Sequence, residues 1–249
     1  MNKILLKNVT FVNENFDIQK AKNILIVNGF ITIIDSSEDF QNYPTIDCSN
    51  YILCPGLINA HFHLGETIYS KLKPFKNLEQ YLSLSSKKSK LLENKDHHLI
   101  SLISLIQSIK AGTTTIACAR GWKATKLAGV RGDLGYPLMK TEKLKDFYNN
   151  FEKNYKQIKE MNSSSFKNDS QQIKVGLWVN SLRFLDSKLL KEVSQEFDKG
   201  SSLMIHISET KQQLQDTLDK HGESEIKILT KNNLLNHKTN LIHCNHINE

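Results

Sequence analysis

Apolar positions in the first fifty residues gather in short runs, Ile4 to Phe11, Ile24 to Val27 and Phe30 to Ile34, separated by Asn13-Glu14-Asn15 and Asn28-Gly29. Runs of this length between turn-forming residues predict a small β unit, with Asn28-Gly29 as a hairpin turn. From Tyr51 the pattern changes. Strand-like runs now alternate with longer helical segments: Ile52 to His63, Thr113 to Ala119, Val130 to Met139, Ile173 to Val179, Leu203 to Ile207 and Asn240 to His243. Such alternation predicts β/α units around a buried parallel sheet. The run from Val130 is the least regular, because Arg131, Gly132 and Asp133 interrupt it.

Between these runs, Asp96 is expected to cap a helix through His97 to Ile106 that ends at Gly112. Its Leu99, Leu102, Ile103 and Ile106 would share one core-facing side. Residues Thr141 to Met161 and Asp186 to Phe197 also read as helices, and Asn162 to Ser165 as a loop.

Composition narrows the class. With 249 residues and 39% hydrophobic content, the chain has enough apolar material for a substantial core. The apolar start, Ile4-Leu5-Leu6, is too short for a signal-peptide core, and no later stretch approaches the ~20 apolar residues of a membrane span. We therefore expect a cytoplasmic protein without membrane attachment. Cys48, Cys54, Cys118 and Cys244 lie far apart with no C-x-x-C pair, so reduced thiols are expected in place of a disulfide framework or a structural zinc site. The net charge of +7 comes from lysines scattered among asparagine, serine and glutamate, which reads as a solvated surface and gives no expectation of nucleic-acid binding.

Three strand-like runs end in histidine. The first closes on Pro55-Gly56-Leu57-Ile58-Asn59-Ala60-His61-Phe62-His63, and positions i and i+2 of a strand face the same side, so His61 and His63 converge. Paired imidazoles at the end of a buried strand suit a divalent metal. The second run ends at His206, with Glu209 three residues on, a carboxylate able to move protons beside a metal-activated water. The third ends in His243-Cys244-Asn245-His246. Taken singly, each motif also fits packed histidines and a solvated glutamate.

Taken together, in order, these motifs and Ala111-Gly112-Thr113-Thr114-Thr115 resemble the amidohydrolase superfamily. The likeness is to the branch holding the methylthioadenosine and S-adenosylhomocysteine deaminases, guanine deaminases and triazine chlorohydrolases. The resemblance implies an α/β fold, a (β/α)₈ barrel with its site at the C-terminal strand ends, and a β-sandwich built from both termini. Residues 1–54 would form the amino-terminal part of that sandwich and residues 55–249 the barrel.

The resemblance further implies metal ligands at His61, His63 and His206, with zinc the expected ion and iron the alternative. Glu209 would shuttle protons and His243 would steady the tetrahedral adduct, with His246 as a competitor for that role. Glu66, Arg120, Trp122, Asn180 and Arg183 are candidate substrate contacts, their alternative reading being loop polarity and packing. The implied chemistry is hydrolysis of a carbon–nitrogen bond, most naturally deamination of an aminated heterocycle.

Two departures stand out. Asn180-Ser181 occupies the end of strand four, where many of these deaminases carry a histidine. The family's aspartate at the end of strand eight has no counterpart before Glu249, and six strand-like runs stand where a closed barrel has eight. An incomplete barrel of about six units is therefore expected, with a homo-oligomer or a complementing chain covering its open edge. The competing expectation is a catalytically impaired fragment or a noncatalytic partner module.

Overall fold

A computed structural model describes residues 3–34, 43–69, 75–139, 156, 159–160 and 172–247. The chain divides into two compact units, Met1–Gly56 and Leu57–Glu249.

In the first unit, β1 (Lys3–Val12) pairs antiparallel with β2 (Ile18–Val27), which pairs with β3 (Phe30–Ile34). Asn28 and Gly29 both take positive φ, 51° and 85°, and Val27 pairs directly with Phe30, so the expected two-residue hairpin forms. Two short strands, β4 (Thr45–Asp47) and β5 (Ile52–Leu53), run parallel to β1. Leu6, Val9 and Ile24 form the small core of this sheet.

The run expected from Ile52 to His63 is two strands. β5 belongs to the first sheet, while β6 (Leu57–Phe62) opens the second unit. Pro55 stands between them and has no amide hydrogen to give to either ladder.

Among its described residues the second unit has six strands, all paired in parallel, in the order β11-β10-β9-β8-β7-β6. After β6 come β7 (Thr113–Ala119), β8 (Arg131–Leu138), β9 (Ile173–Val179), β10 (Leu203–Ile207) and β11 (Thr239–His243). The α-helices whose residues are described from end to end are α1 (Leu78–Ser89), α2 (Asn94–Lys110), α3 (Trp122–Ala128), α4 (Ser187–Asp198), α5 (Lys211–His221) and α6 (Glu225–Lys231). The curved parallel sheet is that of a partial TIM barrel.

Alternation along the strands sorts the core. Leu203, Ile205 and Ile207 of β10 face outward and join Leu189, Val193 and Phe197 of α4 and Ile228 of α6. Met204 faces inward beside Trp178 of β9 and Ile242 of β11. At the irregular start of β8, Gly132 is buried and the Asp133 carboxylate accepts a 2.7 Å hydrogen bond from Ser202, which lets a charged residue sit in the sheet.

Helix α4 forms where expected, with Asp186 capping it through the Leu189 amide. Helix α2 departs from expectation twice. Its N-cap is Glu93, and Asp96 is the third helical residue, reaching back to the Glu93 amide in a capping box. Of the face expected to be buried, Leu102 packs partly buried against the core, but Leu99, Ile103 and Ile106 are each more than half exposed, while Ile100, Ser101, Ser104 and Leu105 are buried. Apolar residues lie on both sides of this helix, so periodicity alone did not choose a face. The small serines permit close packing, and their hydroxyls are satisfied by the His97 and Ile100 carbonyls. The helix expected over 141–161 lies outside the described residues apart from 156, 159 and 160, and so does the loop at 162–165.

Candidate active site

Backbone strain concentrates at the C-terminal ends of the barrel strands. Of eight non-glycine residues with positive φ among those described, four lie there: Arg120 after β7, Ser208 after β10, and His243 and Cys244 at the end of β11. Such conformations cost free energy and persist where surrounding contacts impose them, which makes this rim the first place to look for function.

Three imidazoles converge at that rim. His61 Nε2 lies 2.8 Å from His63 Nε2, and His206 Nε2 lies 3.2 Å and 3.4 Å from them. The alternation expected of β6 brings His61 and His63 together, although His63 falls one residue beyond the strand. His206 comes from the buried end of β10.

The protonation states follow from the surroundings. Burial, reinforced by the neighbouring histidines, lowers His61 and His63 to about 4 and His206 to about 3, so all three are neutral at pH 7. His206 Nδ1 lies 2.9 Å from the Asn180 carbonyl, which has no proton to give. Nδ1 therefore donates, and the Nε2 lone pair faces the cluster.

Three lone pairs at this spacing attract a cation. Nitrogens bound to one zinc at ~2.0–2.1 Å with tetrahedral angles are themselves ~3.3 Å apart, which is the spacing of this cluster. His61, His63 and His206 form the only group of this kind among the described residues.

Around them lies a cavity of about 380 Å³, floored by the buried Trp178, whose ring centroid is 5.4 Å from that of His206. Glu209 and His243 line it together, Oε1 to Nε2 at 3.6 Å, and the His243 ring stacks on His206. Glu66 lines it too. Its Oε1 lies 3.6 Å from His63 Nδ1, its other oxygen accepts from the Tyr81 hydroxyl, and burial raises its pKa.

Arg120, Asn180 and Arg183 also line the cavity. The Arg183 guanidinium, however, is engaged by Glu79 and Asp216, both at 2.8 Å, so it ties α1 to α5 across one wall. Trp122 is not brought to the histidines. It lines an adjoining cavity of about 370 Å³ that shares Arg120 with the first.

Sequence reasoning missed the floor residue Trp178, the wall formed by α1, and the buried Gln213 and Glu225 that support the rim; Ser181, placed at the barrel end with Asn180, is buried and accepts from Gln213. Only Trp178 carried a local signal, two residues before the end-of-strand Asn180 and so on the inward face of β9.

A parallel β/α barrel sheet with a trio of neutral histidines at its C-terminal rim and a carboxylate beside them has the layout in which such barrels place an active site. The chain belongs to the amidohydrolase family, whose sequence model matches residues 52–247. A 5-methylthioadenosine/S-adenosylhomocysteine deaminase from Thermoanaerobacter pseudethanolicus is 32% identical over 99% of the chain. The chain spans 58% of that relative's length.

Two solved structures share the fold. An atrazine chlorohydrolase from Arthrobacter aurescens complexed with zinc superposes with a TM-score of 0.83 at 18% identity, over 97% of this chain and 60% of that one. A guanine deaminase from C. acetobutylicum with bound guanine gives 0.83 at 19% identity, over 100% and 64%. Among the described residues, no helix is long and apolar enough to cross a membrane.

Proposed function

We propose that this chain carries the site of a metal-dependent hydrolase that removes an amino group from a nitrogen heterocycle. The observation behind this reading is the convergence of three neutral imidazole nitrogens within 3.4 Å of one another, beside the Glu209–His243 pair. The deaminase names of the relatives fit it.

In this reading His61, His63 and His206 hold the ion, and zinc suits an all-imidazole donor set. When bound, a divalent ion supplies Lewis acidity, bringing the pKa of water from about 15.7 toward ~7. Glu209 Oε1 takes a proton from the attacking water and delivers it to the departing nitrogen, which must be protonated to leave. His243 Nε2, facing the same space, donates to the charge that develops on the tetrahedral carbon's oxygen. Glu66, Arg120 and Asn180 contact the ring and its substituents, and Trp178 gives it an apolar floor. The four cysteines are free thiols, in keeping with a cytoplasmic setting.

The test is metal content per chain after purification, with an ammonia-release assay over aminated purines, pyrimidines and triazines. The expected result is near one zinc per chain and turnover of at least one substrate class. Metal without turnover across the panel would favour a noncatalytic module; absence of metal would overturn the reading.

A further inference from the structure

The rim after β10 is held by a buried carboxylate that the proposed chemistry does not use. Glu225, the first residue of α6, is 1% exposed. Its Oε2 accepts from both the amide and the hydroxyl of Ser208, at 2.6 and 2.7 Å, and its Oε1 lies 3.4 Å from the Thr217 hydroxyl. Ser208 is itself buried and holds a left-handed φ of 47°. A serine adopts that conformation only where its surroundings over-determine it.

The next amide is held in the same way. Glu209 N donates to Gln213 Oε1 at 3.0 Å, and Gln213 Nε2 donates to Ser181 Oγ at 2.9 Å. Ser181 follows Asn180, whose carbonyl fixes His206. From just beyond the end of β11, the Asn245 side chain donates to the Glu209 carbonyl at 3.1 Å. Two consecutive amides, those of Ser208 and Glu209, are thus received by side chains of later helices, and these contacts set the direction in which the Glu209 carboxylate leaves the strand. Burial raises the Glu225 carboxyl pKa, and the Ser208 hydrogen bonds oppose that rise.

We propose that Glu225 is a positioning residue: by gripping both hydrogen-bonding groups of Ser208, it imposes the left-handed turn that aims Glu209 into the cavity toward His243. This rests on the reading of Glu209 as the proton shuttle only for its catalytic consequence, and the grip itself is testable without turnover.

The experiment compares wild type with Glu225→Gln, Glu225→Ala, Ser208→Ala and, as a control, Glu196→Gln, another buried carboxylate on α4. Hydrogen exchange is followed at the Ser208 and Glu209 amides and across β10, together with bound zinc and the kinetics of ammonia release. We expect Glu225→Gln to remain folded and to keep its zinc, while the Ser208 and Glu209 amides exchange at least ~10-fold faster and the Leu203–Ile207 amides stay protected. Glu225→Ala should exceed it, Ser208→Ala should fall between wild type and Glu225→Gln, and Glu196→Gln should match wild type. Where wild type turns over, kcat should fall roughly 10- to 100-fold with little change in KM, since a shuttle moved by about 1 Å loses reactivity before it loses binding.

Unchanged exchange at Ser208 and Glu209 in both Glu225 variants overturns the proposal, and so does a uniform rise over β10 and α6. Localised exchange in a wild type that never releases ammonia upholds the grip and counts against the deaminase reading instead.

Discussion

Strands β10 and β6 both deliver histidines to the same cluster, yet they are held in opposite ways. β10 lies between β9 and β11, all five of its residues are buried, and its outward side chains pack into the largest core. β6 is the end strand of the six described. Its Leu57 and Ile58 are 60% and 72% exposed, and none of its residues is buried. His206 Nδ1 has its tautomer fixed by the Asn180 carbonyl at 2.9 Å, whereas His63 Nδ1 faces Glu66 at the longer 3.6 Å. One side of the cluster is thus built into the buried core and the other stands on a more exposed strand paired only with β7 among those described, so changes on the two strands should have different effects on fold and on metal.

The largest effect expected is one in which the strands do not differ. His61→Ala and His206→Ala each remove a nitrogen from the trio and should weaken zinc binding by more than the ~100-fold typical of losing an outer-shell partner. His98→Ala, outside the cluster, should leave it unchanged. Equilibrium dialysis against zinc distinguishes these, and equal affinity in all three variants would remove the metal assignment.

Stability should separate the strands. Leu203→Ala or Ile205→Ala in β10 opens a cavity in a packed core and should cost about 2–5 kcal/mol. Ile58→Ala in β6 removes an exposed side chain and should cost less than ~0.5 kcal/mol. Urea unfolding of the three variants measures the contrast, and equal losses would mean that the exposed face of β6 is covered in solution.

Acid should act chiefly through the buried histidines. Their folded pKa values are lowered from 6.5 to about 4 for His61 and His63 and about 3 for His206, so between those values and 6.5 the unfolded chain binds more protons than the folded one. Stability of the metal-free protein should therefore fall as pH drops below 6.5. The His206 share is about 2 kcal/mol at pH 5. His206→Gln should flatten the pH dependence of urea midpoints between pH 7 and 5, and an unchanged slope would contradict the assigned burial.

The same contrast explains what was legible in the sequence. β7, β9 and β10 have the predicted limits; in β10, buried on both faces, a continuous apolar run stands between polar borders, and in β7 and β9 β-branched and aromatic residues mark the run. The histidine and glutamate motifs were legible because strand alternation and short spacing bring His61 to His63, and His206 to Glu209. Where burial is decided by distant partners, the pattern misled: Ile52 to His63 read as one strand, and α2 was assigned the wrong face. Glu225 and Gln213 look like ordinary surface residues in sequence, since their partners lie on other elements and only the tertiary fold brings them together.

The smallest effect expected concerns the hydrogen bond by which β11 reaches β6, beside the His61–His243 ring contact. Asn240 Nδ2 donates to the Ala60 carbonyl at 2.6 Å, linking the two end strands of the described sheet one residue before His61. The bond is exposed, so Asn240→Ala should cost no more than ~1 kcal/mol. Asn240→Asp keeps the shape but puts a carboxylate oxygen where an N–H donor stood, against a carbonyl oxygen, and should be the more destabilising of the two. Because the bond lies one residue before His61, either change should also weaken zinc binding a few-fold through His61, while Ile205→Ala should not. Thermal midpoints and zinc titrations read both predictions, and an aspartate variant as stable as wild type would mean that the Asn240–Ala60 bond contributes nothing to holding β6 in place.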